Sequence, residues 1–262
     1  MKFIVSLSFL LLAVMQFSNA QNKSIKQEKL VKFELQSSEL IGDSGEKLSS
    51  ADYRSNVYWF PVNVPSTVLS GLVANRVYPD PYSGMNNMLI PDASDEFNKR
   101  YNLEQFSHIP NVGNPWKKPY WYRTTFKVPA TDQGRHFQLI FKGINYRAAV
   151  WVNGKQIADS TKMAGMFAEY SFDISKLIQA GKENGLAVKI YPLDVPGLPD
   201  TEQLKAMDDF FLNGGPTGDI GKNVTMLCSV GWDWVPPVRD RNIGIWQPVI
   251  LRTSGDVTIK QP

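Results

Sequence analysis

Apolar and polar residues alternate with a period of two along much of the chain, and that period predicts strands. Val31, Phe33 and Leu35 alternate with Lys32, Glu34 and Gln36, and Val57-Tyr58-Trp59-Phe60 reads as a short aromatic strand. From Tyr120 the pattern is strongest: Tyr120, Tyr122, Thr124, Phe126 and Val128 share one side, with Trp121, Arg123, Thr125 and Lys127 on the other. Further inward sets are Phe137, Leu139 and Phe141; then Tyr146, Ala148, Val150 and Val152; then Leu186, Val188 and Ile190. Asn153-Gly154 follows Val152 at once, a pair that accepts positive φ and so closes a hairpin. Tyr170–Asp173 ends another strand, and the tail alternates again at Ile243, Ile245, Val249 and Leu251, then Val257 and Ile259.

Helical spacing is sparse. Val68, Leu69, Leu72 and Val73 recur on one face after Pro65-Ser66-Thr67, which opens a helix. Short helices are also expected near Ala93–Lys99, over Ile174–Gln179 with Asp173 as cap and Gly181 as stop, and as a turn within Leu204–Phe211. Residues 85–115 form a long irregular stretch of the kind that is functional or packed on a sheet. Eight or more short strands with turn signals between them predict an all-β sandwich of jelly-roll, galactose-binding-domain-like topology. No repeat or linker divides the chain, so residues 31–262 are expected to form one domain.

The start of the chain changes the picture. Lys2, the apolar run Phe3–Met15 and Ser18-Asn19-Ala20 read as a secretory signal over residues 1–20. The run is too short to span a membrane. A mature chain beginning near Gln21, a loose tail over 21–30, and a secreted or periplasmic location are therefore expected. Cys228 is the sole cysteine, so no intramolecular disulfide forms and the core must hold the fold. A net charge of +3 with no basic stripe argues against nucleic acid as a partner.

Candidate chemistry concentrates in Gly231-Trp232-Asp233-Trp234-Val235-Pro236-Pro237 and the following Asp240-Arg241-Asn242. A sugar offers C–H faces that stack on aromatic rings and hydroxyls that seek charged or amide groups, and this stretch carries both. Two readings stand side by side: a carbohydrate site, or indoles buried in a β core with a structural Asp–Arg pair. Elsewhere the chemistry is thin. His108, His136 and Cys228 are too few and too scattered for zinc, and no cofactor is expected. Gly-x-Ser-x-Gly is absent, and Gly214–Gly218 lacks the Lys-Ser/Thr of a phosphate cradle. Asp208 and Asp209 are adjacent, so their side chains diverge. Asn223-Val224-Thr225 fits the glycosylation pattern.

An ordered set of segments resembles the N-terminal sugar-binding domain of glycoside hydrolase family 2. They are Val64-Pro65-Ser66-Thr67-Val68, Tyr78-Pro79-Asp80-Pro81-Tyr82, Trp121-Tyr122-Arg123-Thr124-Thr125-Phe126, Phe141-Lys142-Gly143-Ile144, Val150-Trp151-Val152-Asn153-Gly154 and Tyr170-Ser171-Phe172-Asp173-Ile174. Gly-Trp-Asp-Trp followed by Asp240-Arg241-Asn242-Ile243-Gly244-Ile245-Trp246 looks most like the branch of exo-β-glucosaminidases and β-mannosidases. The resemblance implies that Asp233 accepts hydrogen bonds from sugar hydroxyls or pairs with an amino group, while Trp232 and Trp234 wall the pocket. Asp240, Arg241 and Asn242 would hold the loop or touch the sugar. The implied ligand is β-linked glucosamine or mannose.

The family's two glutamates, acid and nucleophile, lie on a downstream barrel. Lys182-Glu183-Asn184 has the reverse of the barrel order. The resemblance thus implies that this chain alone does not hydrolyse and that a catalytic barrel completes the pocket. A free-standing lectin-like module, or a structural domain docking on a catalytic partner, stays open beside that reading.

Overall fold

The computed structural model describes residues 25–93, 95, 98, 99, 113–193 and 241–256. The expectations for residues 1–20, Leu204–Phe211, Gly214–Gly218, Asn223, Cys228, Val257 and Ile259 lie outside these. Two antiparallel sheets form a jelly-roll sandwich. The larger sheet holds Lys32–Ser37 (β2), Phe60–Asn63 (β3), Tyr120–Lys127 (β5), Arg147–Val152 (β7), Lys155–Ala158 (β8) and Glu183–Tyr191 (β10). The smaller holds Lys26–Leu30 (β1), His136–Phe141 (β6), Tyr170–Asp173 (β9) and Val249–Ser254 (β12). Strand order is β3-β2-β5-β10-β7-β8 in one and β1-β12-β6-β9 in the other. Ser66–Thr67 (β4) and Gly244–Ile245 (β11) pair separately.

The period-two pattern does what it predicts. Phe33, Leu35, Tyr122, Val150 and Val188 of the larger sheet meet Phe137, Leu139, Phe141, Val249 and Leu251 of the smaller in one buried core. The turn after β7 carries φ of 47° at Asn153 and 80° at Gly154, the positive pair a tight hairpin demands.

The outer face of β5 is buried as well. Ile41, Leu48, Tyr53, Trp59, Trp121, Ala149, Trp151 and Ala187 make a second, smaller core there. The short helix Gly45–Leu48 (α1) lies on it. A Cβ at position 45 would stand 2.3 Å from the Trp151 ring, so only glycine allows that approach. Trp151 Nε1 donates to Glu46 at 3.1 Å, and Arg123 donates to the Leu48 carbonyl at 3.3 Å and to Glu34 at 2.6 Å.

Thr67 opens Val68–Ala74 (α2) as expected, its Oγ1 accepting the Ser70 amide at 3.1 Å. Val68, Leu69 and Leu72 are buried. Asn75 ends it, its amide donating to the carbonyls of Gly71 and Pro61 at 2.8 and 2.9 Å.

Three expectations shift, and one strand went unforeseen. Lys26–Leu30 is not a loose tail but an edge strand along β12. The aromatic strand begins at Phe60 rather than Val57, because Trp59 turns onto the outer core and the Tyr58 carbonyl is taken by the Gln36 side chain at 2.7 Å. Residues Ile174–Gln179 form turns, not a helix. There Asp173 Oδ1 accepts both the amide and hydroxyl of Ser175, and the Asn184 side chain takes the Gln179 amide at 2.8 Å and carbonyl at 3.2 Å. Those side chains capture the groups a helix would need. Lys155–Ala158, too polar to announce itself, is strand β8.

Candidate functional site

The segment Arg241–Trp246 leads out of the 231–240 stretch, and its local chemistry fixes it on three sides. Gly244 and Ile245 pair with Thr67 and Ser66. The Val68 amide donates to the Ile243 carbonyl at 2.7 Å, and Asn145 and Gly244 exchange backbone hydrogen bonds at 2.8 and 2.7 Å. Ile243 and Ile245 are fully buried in the main core. Gly244 has φ of 144°, and a Cβ there would come within 2.6 Å of Thr67 Cα and 2.7 Å of the Tyr122 hydroxyl. No other residue fits that crossing.

Arg241 is 2% exposed. Its guanidinium donates to the carbonyls of Ile90 and Pro91 at 3.3 and 3.5 Å and to the Asn87 side chain. Trp116, fully buried, donates to the same Pro91 carbonyl at 2.6 Å and packs on the Tyr78 ring at 5.9 Å between centroids. The next residues are stitched by amides. Asn98 bonds both the amide and carbonyl of Asp92, at 2.6 and 2.7 Å, and Asn114 donates to Asp92 O at 2.9 Å and to Asp95 at 2.8 Å. Burial pushes the Asp95 carboxyl up, but hydrogen bonds from Lys117 at 2.5 Å and from Asn114 outweigh it and hold it below the usual range.

Asn242 is half-buried, and its carbonyl accepts from Asn145 Nδ2 at 3.0 Å. Asn145 is itself buried, and its Oδ1 has no hydrogen-bond partner among the described residues. Of the six residues singled out in the sequence, Arg241 and Asn242 stand together on this anchored base. Trp232, Asp233, Trp234 and Asp240 lie outside the described residues. Asn87, Trp116, Asn145 and Gly244 were not anticipated as anchors. The one signal for them was a glycine inside a strand pattern. A groove of about 470 Å³ beside α2 is lined by Lys32, Pro61, Asn63, Ser66 and Ser70, and its two serine hydroxyls already bond each other at 3.1 Å. Among the described residues, no group of three or more His, Cys, Asp or Glu side chains gathers to hold a metal ion.

Comparison with known proteins places this geometry. The family described as glycosyl hydrolase 2 galactose-binding domain-like matches residues 110–247. A mannosylglycoprotein endo-β-mannosidase of Lilium longiflorum is 36% identical over 204 residues, covering 77% of this chain and 18% of that protein. An exo-β-D-glucosaminidase of Streptomyces avermitilis is 29% identical over 232 residues, covering 88% and 20%. The crystal structure of the Amycolatopsis orientalis exo-chitosanase CsxA superposes with a TM-score of 0.60 at 26% identity, over 90% of this chain and 21% of that one. The β-D-mannosidase of Dictyoglomus thermophilum, with a TM-score of 0.52 at 24% identity over 86% of this chain and 22% of that one, shares the fold. The chain spans about a fifth of the length of the relatives it matches.

Proposed function

We propose, for a chain that belongs to the glycosyl hydrolase 2 galactose-binding domain-like family, that it is the sugar-binding module of an exo-glycosidase acting on β-linked glucosamine or mannose. The 231–240 stretch forms one wall of the pocket. Trp232 and Trp234 stack on the sugar, and Asp233 accepts from its hydroxyls or pairs with an amino group. Asp240, Arg241 and Asn242 hold that wall, with Asp240 and Asn242 within reach of the sugar.

The observation that carries this reading is Arg241. A buried guanidinium bonded to Asn87 and to two backbone carbonyls ties the end of the stretch to the 87–91 segment. In this reading Arg241 gives the stretch a fixed base, and groups held in place before binding lose less entropy when they bind. The names of the glucosaminidase and mannosidase relatives support the choice of sugar.

Cleavage is not this chain's own work. A retaining glycosidase needs two carboxyl groups roughly 5 Å apart across the scissile bond, and the reading assigns that pair to a barrel that completes the pocket. Export is part of the same proposal, carried by the signal-like first 20 residues; an amino terminus near Gln21 on the mature protein is the expected result of terminal sequencing. The purified chain should show no turnover of aryl β-glucosaminide or β-mannoside. It should bind the free sugars weakly, on the order of millimolar, and Asp233→Ala should abolish that binding. Robust turnover that disappears when a carboxylate of this chain is changed would refute the assignment.

A further inference from the structure

The loop Ala164–Glu169 carries Phe167, which is 71% exposed. The loop is fixed on several sides. Trp246 Nε1 donates to the Met166 carbonyl at 2.9 Å, the Gly165 amide donates to the Tyr146 carbonyl at 2.9 Å, Ala164 bridges Arg147, and Tyr170 donates to the Ala164 carbonyl. The Phe167 ring meets Trp246 edge to face, with centroids 5.8 Å apart and planes at 90°. The indole in turn lies against Gly143, where a Cβ would stand 2.9 Å from Nε1. The neighbouring Lys142 pairs with Glu169 at 2.5 Å, beyond the Phe141–Tyr170 rung of β6 and β9, and both side chains are about half exposed. A braced, exposed aromatic ring thus stands on the same loop as a carboxylate that pairs with an ammonium.

We propose that this patch is a second carbohydrate platform, additional to the site proposed around Asp233, for a further unit of a β-linked oligosaccharide. It rests on the sugar-binding reading above and extends it from one sugar to a chain. Phe167 stacks on the C–H face of a pyranose whose hydroxyls are equatorial. Lys142 donates to hydroxyl oxygens and Glu169 accepts from hydroxyls. A protein partner fits less well. The centre of a protein interface is depleted of charge and spans about 800 Å² per partner, whereas here a charged pair sits beside a single exposed ring.

The test titrates the full chain with a β-1,4-linked glucosamine hexamer and with methyl β-glucosaminide, followed by NMR. Wild type, Phe167→Ala, Phe167→Tyr and Asp233→Ala are compared, with thermal midpoints to confirm folding. Phe167→Ala should weaken the hexamer roughly three- to tenfold, the scale of one aromatic contact, while leaving the monosaccharide unchanged; Phe167→Tyr should keep wild-type affinity. If Phe167→Ala binds the hexamer like wild type while Asp233→Ala loses the monosaccharide, the platform is wrong and the first site stands. If no variant, wild type included, binds any sugar, both fall. If Phe167→Ala instead loses association with a separately expressed glycosidase barrel, with sugar affinity intact, the patch is a protein contact and the platform is overturned.

Discussion

Two tyrosines on one strand face show how much a single hydroxyl matters. Tyr120 and Tyr122 are both fully buried in the main core. The Tyr122 hydroxyl donates to the Ser66 carbonyl at 3.0 Å, whereas that of Tyr120 has no hydrogen-bond partner among the described residues. Burial drives both phenols far above their ordinary range. Tyr122→Phe should therefore cost about 1 kcal/mol in a denaturant titration, and Tyr120→Phe should be neutral or stabilising by a similar amount. Neither ring should contribute to an alkaline phenolate titration until the protein unfolds. Gly244 is the other decisive residue. Gly244→Ala meets Thr67 and Tyr122 at once and should lower stability by roughly 2 kcal/mol or more, read by thermal melting, and should weaken sugar binding by freeing the 231–240 stretch.

At the scale of elements, the edge strand β1 is held by charge as well as by its ladder. Asp132 accepts from Arg135 at 3.0 Å and from Lys26 at 3.2 Å. Burial alone would raise this carboxyl; the hydrogen bonds from Arg135 and Lys26 outweigh it and hold it below its usual value. A depressed acid stabilises fully above its unfolded pKa, and that stabilisation is lost as pH falls through the lower folded value. Stability should thus decline below about pH 4, and Asp132→Asn should flatten that part of the acid limb in a denaturation series. Lys26 also shows why elements are unevenly legible in sequence. Strands with a clean inward set, such as Phe137-Leu139-Phe141 and Leu186-Val188-Ile190, announce themselves. Lys26–Leu30, exposed at all but Leu30, does not, because a polar edge strand is specified by its neighbour β12 rather than by its own pattern. The expected helix after Asp173 fails for a local reason that the apolar spacing does not carry: Asp173 captures the Ser175 amide, and Asn184, five residues beyond Gln179, claims the Gln179 backbone.

Over the whole molecule, the alternation made the sandwich readable but not its second layer. Trp121 and Arg123 read as the outer, solvent side of β5, yet α1 and the Trp151 indole bury them. Nothing in the period-two pattern distinguishes an outer face left to water from one capped by an element from elsewhere in the chain. The candidate site divides the same way. The stretch proposed to meet the sugar, two indoles around a carboxylate, is local in the sequence; the foundation beneath it is not. Arg241 reaches Asn87 and Pro91 across some 150 positions of chain, and no spacing rule links them. Arg241→Met should therefore leave the sandwich folded, lower the thermal midpoint by a few degrees, and weaken sugar binding more than it weakens the fold. Parallel melts and titrations would separate the two effects.

The most direct measurement is a crystal structure of the chain with glucosamine at saturating concentration. The account predicts the sugar between Trp232 and Trp234, with the Asp233 carboxylate on its hydroxyls or amino group and Arg241 still bonded to Asn87. Both indoles packed between the two sheets, with Asp233 paired to an interior arginine and the sugar absent, would contradict it.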